Sequence, residues 1–549
     1  MKFDIQLPPH RVSEMTARGL WPDRLLTDYL DAAVAAAPER VAVTGFESGG
    51  GETTRLSYAE LARRADRIAL GLVALGVEPG DVVSFQLPNR WQFTALHLAC
   101  VRIGAVSNPL MPIFRQRELR FMLNLAESKV LVVPRSYRDF DYPGLMADIL
   151  GDVPSIARGF VVGGAGEESF EGHFLERPWE DEIPPERSFR ERRPGPNEVT
   201  LLLYTSGTTG EPKGVMHTAN TLFGNALAFI ERVGLGVDDV TLMASPLAHL
   251  TGFLYGMAIP IVLGGRSVLQ DLWAPDVAAR IIAEERVTFT MASTPFLSDL
   301  TETPALEHHD VGSLHTFLTA GAPIPRVLVQ RASERLGALV ISCWGMTENG
   351  AATTTRRDDP PDKVFGTDGK ALEGLEVRVV DGDGEALALG REGRLQARGM
   401  SNFVGYLKRP GLFATDAEGW FETGDLATMD EDDYIRITGR AKDVIIRGGE
   451  NIPVVEVEQL LHRHPAIQDV AVVAMPDPRL GERGCAFATL KPGQDFSFAE
   501  MAGFLEEHQM AKTYWPEQLE IIDEMPRTPS GKIQKFRLRE IAKDLKPER

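Results

Sequence analysis

The densest run of chemically able side chains is Thr205-Ser206-Gly207-Thr208-Thr209-Gly210-Glu211-Pro212-Lys213-Gly214. Its glycines leave backbone N–H groups open, its hydroxyls donate hydrogen bonds and Lys213 adds a cation, which is the equipment a polyphosphate needs. The Walker spacing G-x-x-x-x-G-K-[ST] is not met, because Pro212 stands where the second glycine is due after Gly207 and Gly214 follows Lys213. The string is therefore another kind of phosphate loop, or a Ser/Thr/Gly turn that carries one solvated lysine. Further along stand Trp344-Gly345-Met346-Thr347-Glu348, Phe421-Glu422-Thr423-Gly424-Asp425, Gly439-Arg440-Ala441-Lys442-Asp443 with Gly448-Gly449-Glu450-Asn451-Ile452, and Pro529-Ser530-Gly531-Lys532-Ile533. Taken singly, Glu348, Asp425 and Lys532 read as solvated surface charges, and Gly448-Gly449 as a tight turn.

In this order, across residues 204 to 533, the strings resemble the signatures of adenylate-forming enzymes: acyl-CoA synthetases, non-ribosomal adenylation domains and beetle luciferases. The resemblance reverses the single-residue readings. It implies that Thr205, Ser206, Gly207, Thr208, Thr209, Gly210 and Lys213 wrap the β- and γ-phosphates of ATP, that Thr347 touches the α-phosphate, and that Glu348 with Thr205 holds Mg²⁺. A hard carboxylate oxygen suits that ion. By the same resemblance Asp425 takes the ribose hydroxyls, Trp344 stacks on adenine beside Gly345 and Met346, Gly321-Ala322-Pro323 forms the adenine edge, and Arg440 holds ribose and phosphate oxygens. Lys532 would lie between the substrate carboxylate and the α-phosphate, where its ammonium stabilises the transition state more than the ground state. Coenzyme A must then reach a face that Lys532 covers. The implied answer is rotation of the C-terminal part about a hinge at Lys442, which withdraws Lys532 and brings Gly448, Gly449, Glu450 and Asn451 to a pantetheine tunnel.

Met243-Ala244-Ser245-Pro246-Leu247-Ala248-His249-Leu250-Thr251-Gly252-Phe253 resembles the acyl-pocket motif, with His249 beside the substrate carboxylate and at the coenzyme A entrance. The other reading of His249 is a satisfied structural histidine. No acidic residue occurs from Ala244 to Gly256 to pair an amino group, so an uncharged, apolar acid fits. Phe253, Met257, Phe296, Ala320, Gly321 and Met346 are candidate pocket lining, although aromatic and Met positions are commonly core. No basic residue is placed for a second carboxylate, which favours a monocarboxylate. The runs Leu7-Pro8-Pro9-His10-Arg11 and Gly19-Leu20-Trp21-Pro22-Asp23-Arg24 resemble cyclohexanecarboxylate-CoA ligases and their medium-chain relatives. The expected activity is an AMP-forming carboxylate:CoA ligase using ATP, Mg²⁺ and coenzyme A. The alternatives are an acyl-AMP ligase or stand-alone adenylation enzyme that loads a carrier protein, a non-catalytic nucleotide-binding regulator, and a luciferase-like oxygenase.

These residues need elements to hold them. Short apolar runs such as Val82 to Phe85 and Val130 to Val133 alternate with helical-period segments such as Gln92 to Ile103, the rhythm of βα units. Ser57-Tyr58-Ala59-Glu60 has capping-box form and opens a helix with Leu61, Ala65, Ile68, Leu72 and Leu75 on one face and a stop at Gly76. A strand over Val199 to Leu203 precedes the phosphate string, and a helical stretch follows His217. Residues 163 to 198, rich in Glu, Arg, Pro and Gly, read as a surface connection rather than a core element. After Pro360, strands over Glu376 to Val380, Gly393 to Arg398 and Asp433 to Thr438 suggest an antiparallel subdomain. Beyond Lys442 the order is strand (Val444 to Ile446), helix (Val454 to His464), strands (Val470 to Met475 and Ala486 to Leu490), helix (Phe498 to Glu507) and strand (Leu519 to Ile522). The expected fold is α/β: a large N-terminal domain (1–438) with parallel-sheet subdomains and a small β subdomain, a hinge (439–442) and a small mobile α+β lid (443–549).

At 549 residues, 43% hydrophobic and 25% charged, the chain has ample material for a core and is neither disordered nor collagenous. Its formal charge of −20 repels nucleic acid and anionic membranes over most of the surface, so a phosphate ligand must be met by local cations. Cys100, Cys343 and Cys485 are odd in number and far apart, which fits neither a disulfide framework nor a zinc site. The first residues lack a secretory pattern and no apolar window is long enough for a bilayer, so a reduced, cytoplasmic enzyme of small-molecule substrates is expected, with self-assembly left open.

Overall fold

A computed structural model describes residues 3–48, 53–205, 212–321, 324, 326–447, 450–477, 480–508, 510–528 and 531–545. Two large sheets, a small antiparallel sheet and a separate C-terminal sheet organise these residues, giving the mixed α/β class expected.

The first large sheet has six strands in the order Lys213–Thr218, Val199–Thr205, Val106–Pro109, Val82–Phe85, Val130–Pro134 and Arg158–Val162. All but the first run parallel. Val82–Phe85 and Val130–Pro134 are buried at every position, the continuous apolar reading of strands covered on both faces. The second sheet has nine strands, with Leu339–Met346, Thr316–Ala320, Phe289–Ala292, Val240–Met243, Arg266–Gln270 and Val41–Phe46 parallel and adjacent in that order. Helix Tyr58–Ala74 packs on the second sheet and against helix Trp91–Arg102, which touches strands of both sheets. Its Ser57 Oγ accepts from Glu60 N at 3.2 Å while Ser57 N donates to the Glu60 carboxylate at 2.9 Å, so the capping box forms as its spacing predicts.

Residues 163–198 depart from the surface-connection reading. They hold short helical turns and the helix Pro185–Arg192, and they bury Phe170, Phe174 and Trp179. Phe174 and Trp179 lie over Gly71 of the long helix, where a Cβ would come 2.7 Å from the Phe174 ring. A few large apolar side chains outweigh the charged composition around them.

Leu375–Val380, Gly393–Gly399, Phe421–Met429 and Ile435–Arg440 make the four-stranded antiparallel sheet. The C-terminal sheet comprises Ile445–Arg447, Glu450–Ile452, Ile467–Asp477, Gly481–Leu490 and Gln518–Ile521, covered by Val454–Leu461, Phe498–Glu507 and Lys535–Ala542. The last helix was not foreseen in its charged sequence, yet Leu538 and Ala542 are buried four residues apart and Lys535 pairs at 2.7 Å with the buried Glu458. The three cysteines are buried and form no disulfide, and among the described residues no helix is long and apolar enough to cross a membrane.

Candidate active site

The parallel strands of the second sheet end on one side of the molecule, where open α/β sheets offer a crevice. His249 follows Val240–Met243, Ser293 follows Phe289–Ala292, Gly321 follows Thr316–Ala320, and Thr347 and Glu348 follow Leu339–Met346. Sheet direction thus gathers segments that are 100 residues apart in sequence. Asn89, just past Val82–Phe85, joins the two sheets here: its Nδ2 donates to Ser245 O at 2.9 Å and its Oδ1 accepts from Leu247 N at 2.8 Å.

The phosphate string is the tip of a hairpin. Val199–Thr205 and Lys213–Thr218 are antiparallel with Thr205 opposite Lys213, and the helix comes only afterwards, at Ala219–Val233. Ser206, Gly207, Thr208, Thr209 and Gly210 lie outside the described residues, so the hairpin fixes the loop's two ends, Thr205 and Lys213. A segment from Gly399 to Leu407 runs alongside: Val404 N donates to Met216 O at 3.0 Å, Met216 N to Gly405 O at 3.0 Å and Leu407 N to Gly214 O at 2.8 Å. Gly214 permits that approach, since a Cβ would stand 3.2 Å from Leu407.

Thr347 and Glu348 are buried at the end of Leu339–Met346. His217, reaching from the hairpin, places Nε2 2.7 Å from the Thr347 carbonyl oxygen. Burial pulls its pKa down to about 4, so at neutral pH the uncharged imidazole donates that bond. Glu348 Oε1 accepts from the Tyr406 hydroxyl at 2.7 Å, and Glu348 O accepts from Phe403 N at 2.7 Å. Burial raises the Glu348 carboxyl above the usual range; the Tyr406 hydrogen bond and the charges of Lys213 and Arg440 pull the other way.

Asp425 and Arg440 are cross-strand partners on Phe421–Met429 and Ile435–Arg440. Arg440 Nε lies 2.7 Å from Asp425 Oδ1, and Trp344 Nε1 donates to Asp425 Oδ2 at 2.9 Å. The buried indole thus orients Asp425 with its edge. Gly321, at φ 80°, is exposed at the crevice, whereas Ala322 and Pro323 lie outside the described residues.

His249 opens the wide helical turn Thr251–Ala258, whose Thr251 N donates to His249 Nδ1 at 3.3 Å. Loss of hydration, then the nearby Lys532 ammonium, push its pKa down to about 4. Lys532 of the C-terminal unit therefore stands beside His249. Gly531 makes this docking: at φ 84° it packs so closely on Ser293, Pro295 and Phe296 that a Cβ would lie 2.6 Å from Ser293 Oγ. Arg527 Nη1 donates to Gly531 O at 2.6 Å, and Lys532 N donates to Thr528 Oγ1 at 3.0 Å.

The candidate acyl residues fall into separate packing groups. Phe253 and Met257 are fully buried in the main core, Phe253 edge-on to His97 with centroids 4.6 Å apart, and Ala320 packs against that core. Phe296 belongs to a second cluster and meets Trp273 at 4.6 Å, while Met346 packs toward Val215, Phe403, Tyr406 and Phe421 on the phosphate side. Of the tunnel candidates, Gly448 and Gly449 and the side chains of Glu450 and Asn451, and with them that of the hinge candidate Lys442, lie outside the described residues.

The model of the AMP-binding enzyme family matches residues 30–407, and that of the AMP-binding enzyme C-terminal domain matches 456–532. The chain belongs to the AMP-binding enzyme family. A relative among these enzymes, the medium-chain fatty-acid–CoA ligase of Escherichia coli, is 38% identical over 98% of this chain and 94% of its own length. The salicyl-AMP ligase / salicyl-S-ArCP synthetase of Mycobacterium tuberculosis is 34% identical over 97% and 93%. The ATP-bound crystal structure of MatB from Rhodopseudomonas palustris superposes with a TM-score of 0.80 at 29% identity, covering 94% of this chain and 99% of that one. Sequence reasoning had assembled the nucleotide motifs of this AMP-binding enzyme but missed Tyr406, His217 and Asn89. Each acts by reaching a distant strand end, and the strand Lys213–Thr218, buried at every position from Gly214 onward, has no two-residue alternation that would have marked the hairpin in the sequence.

Proposed function

We propose that this AMP-binding enzyme is an AMP-forming carboxylate:CoA ligase acting on an apolar monocarboxylic acid, medium-chain or alicyclic such as cyclohexanecarboxylate. The observation that carries the reading is the placement of Lys532 beside His249, in the crevice that also collects Lys213, Glu348, Asp425 and Arg440.

In the first half-reaction a carboxylate oxygen attacks the α-phosphorus of ATP, the bond to the bridging oxygen breaks, and pyrophosphate leaves. Lys213 and the hydroxyls of Thr205 to Thr209 hold the leaving group, Thr347 meets the α-phosphate, and Asp425 with Arg440 orients the ribose. Lys532 offsets charge on both the entering oxygen and the crowded phosphorus. Glu348, with Thr205, would hold Mg²⁺, which when bound supplies neutralisation of phosphate charge. The donor set fits that ion: Glu348 is a buried carboxylate that makes no ion pair among the described residues, and among them no group of three or more His, Cys, Asp or Glu exists to hold a metal alone. A cation shared between one carboxylate and substrate phosphates is the habit of Mg²⁺. In the second half-reaction the thiolate of coenzyme A attacks the acyl carbon and AMP departs. Rotation about Lys442 would withdraw Lys532 and bring the turn of Gly448, Gly449, Glu450 and Asn451 to the entrance beside His249.

The absence of an acidic side chain from Ala244 to Gly256, with Phe253, Met257 and Phe296 buried nearby, supports an apolar acid. A carrier protein's phosphopantetheine thiol is the second reading, favoured by the name of the mycobacterial relative. Pyrophosphate release with ATP and Mg²⁺ over aliphatic, alicyclic and aromatic acids, with and without coenzyme A, tests both. Turnover that depends on coenzyme A supports the ligase; a single burst unchanged by coenzyme A and relieved by a holo carrier protein supports the second reading.

A further inference from the structure

Within the site two groups of opposite charge lie near each other. Glu348 and Lys213 are near enough for the ammonium to act on the carboxyl, yet among the described residues they form no ion pair. In a cleft of reduced dielectric such charges attract strongly. A contact pair would neutralise both, and a polyphosphate would have to break it on entering.

Tyr406 stands in the way. Its hydroxyl donates to Glu348 Oε1 at 2.7 Å, and the Lys213 ammonium lies 5.0 Å from the centroid of its ring, within the range of cation–π attraction. One side chain thus occupies the carboxylate with its polar end and the cation with its face. The ring is 4% exposed, sits edge-on to Phe403 at 4.7 Å, and its backbone bridges to Val215 of the phosphate hairpin.

The segment that carries Tyr406 is itself clamped. Arg11 has no carboxylate partner among the described residues; it donates to backbone oxygens of Gly399 at 3.2 Å, Met400 at 3.5 Å, Phe403 at 3.4 Å and also Asn402. Trp21 Nε1 adds a bond to Met400 O at 3.0 Å, and Gln6 N one to Val404 O at 2.7 Å. The N-terminal strap therefore holds the loop whose Phe403 N–H and Tyr406 hydroxyl both end on Glu348.

We propose that Tyr406 is a positioning residue, a spacer that keeps Glu348 and Lys213 apart and each aimed at an incoming nucleoside polyphosphate and its divalent cation. The proposal rests on the reading of Glu348 and Lys213 given above.

The test uses the full chain with Tyr406→Phe, which keeps the ring and removes the hydroxyl, and Tyr406→Leu, which removes both. Binding of Mn²⁺ in the presence of a non-hydrolysable ATP analogue is followed by electron paramagnetic resonance, and ATP–pyrophosphate exchange is titrated with Mg²⁺. Tyr406→Phe should weaken Mn²⁺ binding and raise the Mg²⁺ requirement about tenfold, with KM for the acid unchanged. Tyr406→Leu should in addition raise KM for ATP. Thioester formation from supplied acyl-AMP needs neither group, so it should stay within about twofold in both variants and reports a folded chain. Unaltered Mn²⁺ binding in Tyr406→Phe, or equal loss in both half-reactions, overturns the spacer. Glu348→Gln and Lys213→Ala separate the two levels: if they too bind Mn²⁺ and the analogue normally, the reading of the site fails; if they lose it while Tyr406→Phe does not, the spacer alone fails.

Discussion

Gly531→Ala isolates the docking of Lys532. The added methyl has two consequences in the structure. The backbone at φ 84° lies in the left-handed region, which costs a residue with a Cβ about 1–2 kcal/mol wherever the C-terminal unit sits. The methyl would also stand 2.6 Å from Ser293 Oγ and 3.4 Å from Pro295 Cγ, a clash that exists only while the loop is docked on the body. Overpacking of that kind costs about 1–3 kcal/mol, which at about 1.4 kcal/mol per tenfold lowers the adenylation rate by about 5- to 150-fold. Thioester formation from supplied acyl-AMP, which does not use the docked lysine, should change by less than about threefold. Ser293 Oγ makes no hydrogen bond among the described residues, so Ser293→Gly removes the nearer obstacle at little cost. The double variant should regain most of the lost adenylation without regaining the stability lost to the backbone. The assays are ATP–pyrophosphate exchange for the first half-reaction, thioester appearance for the second, and thermal unfolding for the backbone cost. Equal loss in both half-reactions, or no recovery on adding Ser293→Gly, would refute the docking argument.

Three further outcomes follow from the same geometry. Lys532→Ala should abolish adenylation and spare thioester formation from acyl-AMP, while Lys442→Pro should do the reverse; parallel losses in the two half-reactions would exclude the proposed two-position mechanism. Trp344→Phe removes the donor at Asp425 Oδ2, a bond to a charged group worth about 1.5 kcal/mol at the low end, and should raise KM for ATP roughly tenfold with KM for the acid unmoved, as read from initial rates. His217 is held near pKa 4 against 6.5 when unfolded, so between those values the unfolded chain binds more protons and stability falls with falling pH, by up to about 3 kcal/mol at pH 4. His217→Gln should flatten that acid limb in urea melts from pH 7 to 4, where His97, held at about 3, keeps its own contribution.

How much of this was legible in the sequence depended on how the information was laid out. Glycine-bounded strings with a charged residue at fixed spacing carry their chemistry locally, so the phosphate string, Thr347-Glu348, Asp425, Arg440 and Lys532 could be found without a fold. The capping box at Ser57 and the strands over Val82–Phe85 and Val130–Pro134 were legible for the same reason. Elements whose composition hides their packing were not. Residues 163–198 look like solvent-facing chain because charges outnumber Phe170, Phe174 and Trp179, yet those rings decide the local structure by seating over Gly71. The strand Lys213–Thr218 was taken into a loop because the string before it reads as a loop-to-helix turn; its pairing with Val199–Thr205 instead makes the phosphate segment a hairpin tip.

The residues that escaped altogether share a physical property: their partners are set by topology. Tyr406 meets Glu348 across 58 positions and Arg11 meets Gly399 across 388. No periodicity links such pairs, because the parallel order of the second sheet, and not the local chain, decides which strand ends become neighbours. The division has a mechanistic side. The residues proposed to meet the reacting atoms, Lys213, Thr347, Asp425, Arg440 and Lys532, each stand within two positions of a glycine, in strands or in the turns that follow them. Groups that hold those turns still, Tyr406, His217, Asn89 and Arg11, sit in strands, strand ends and a strap that are fixed by packing. Local strings therefore report what the site can do, and the long-range bonds between them set how closely its charges are held for the reaction.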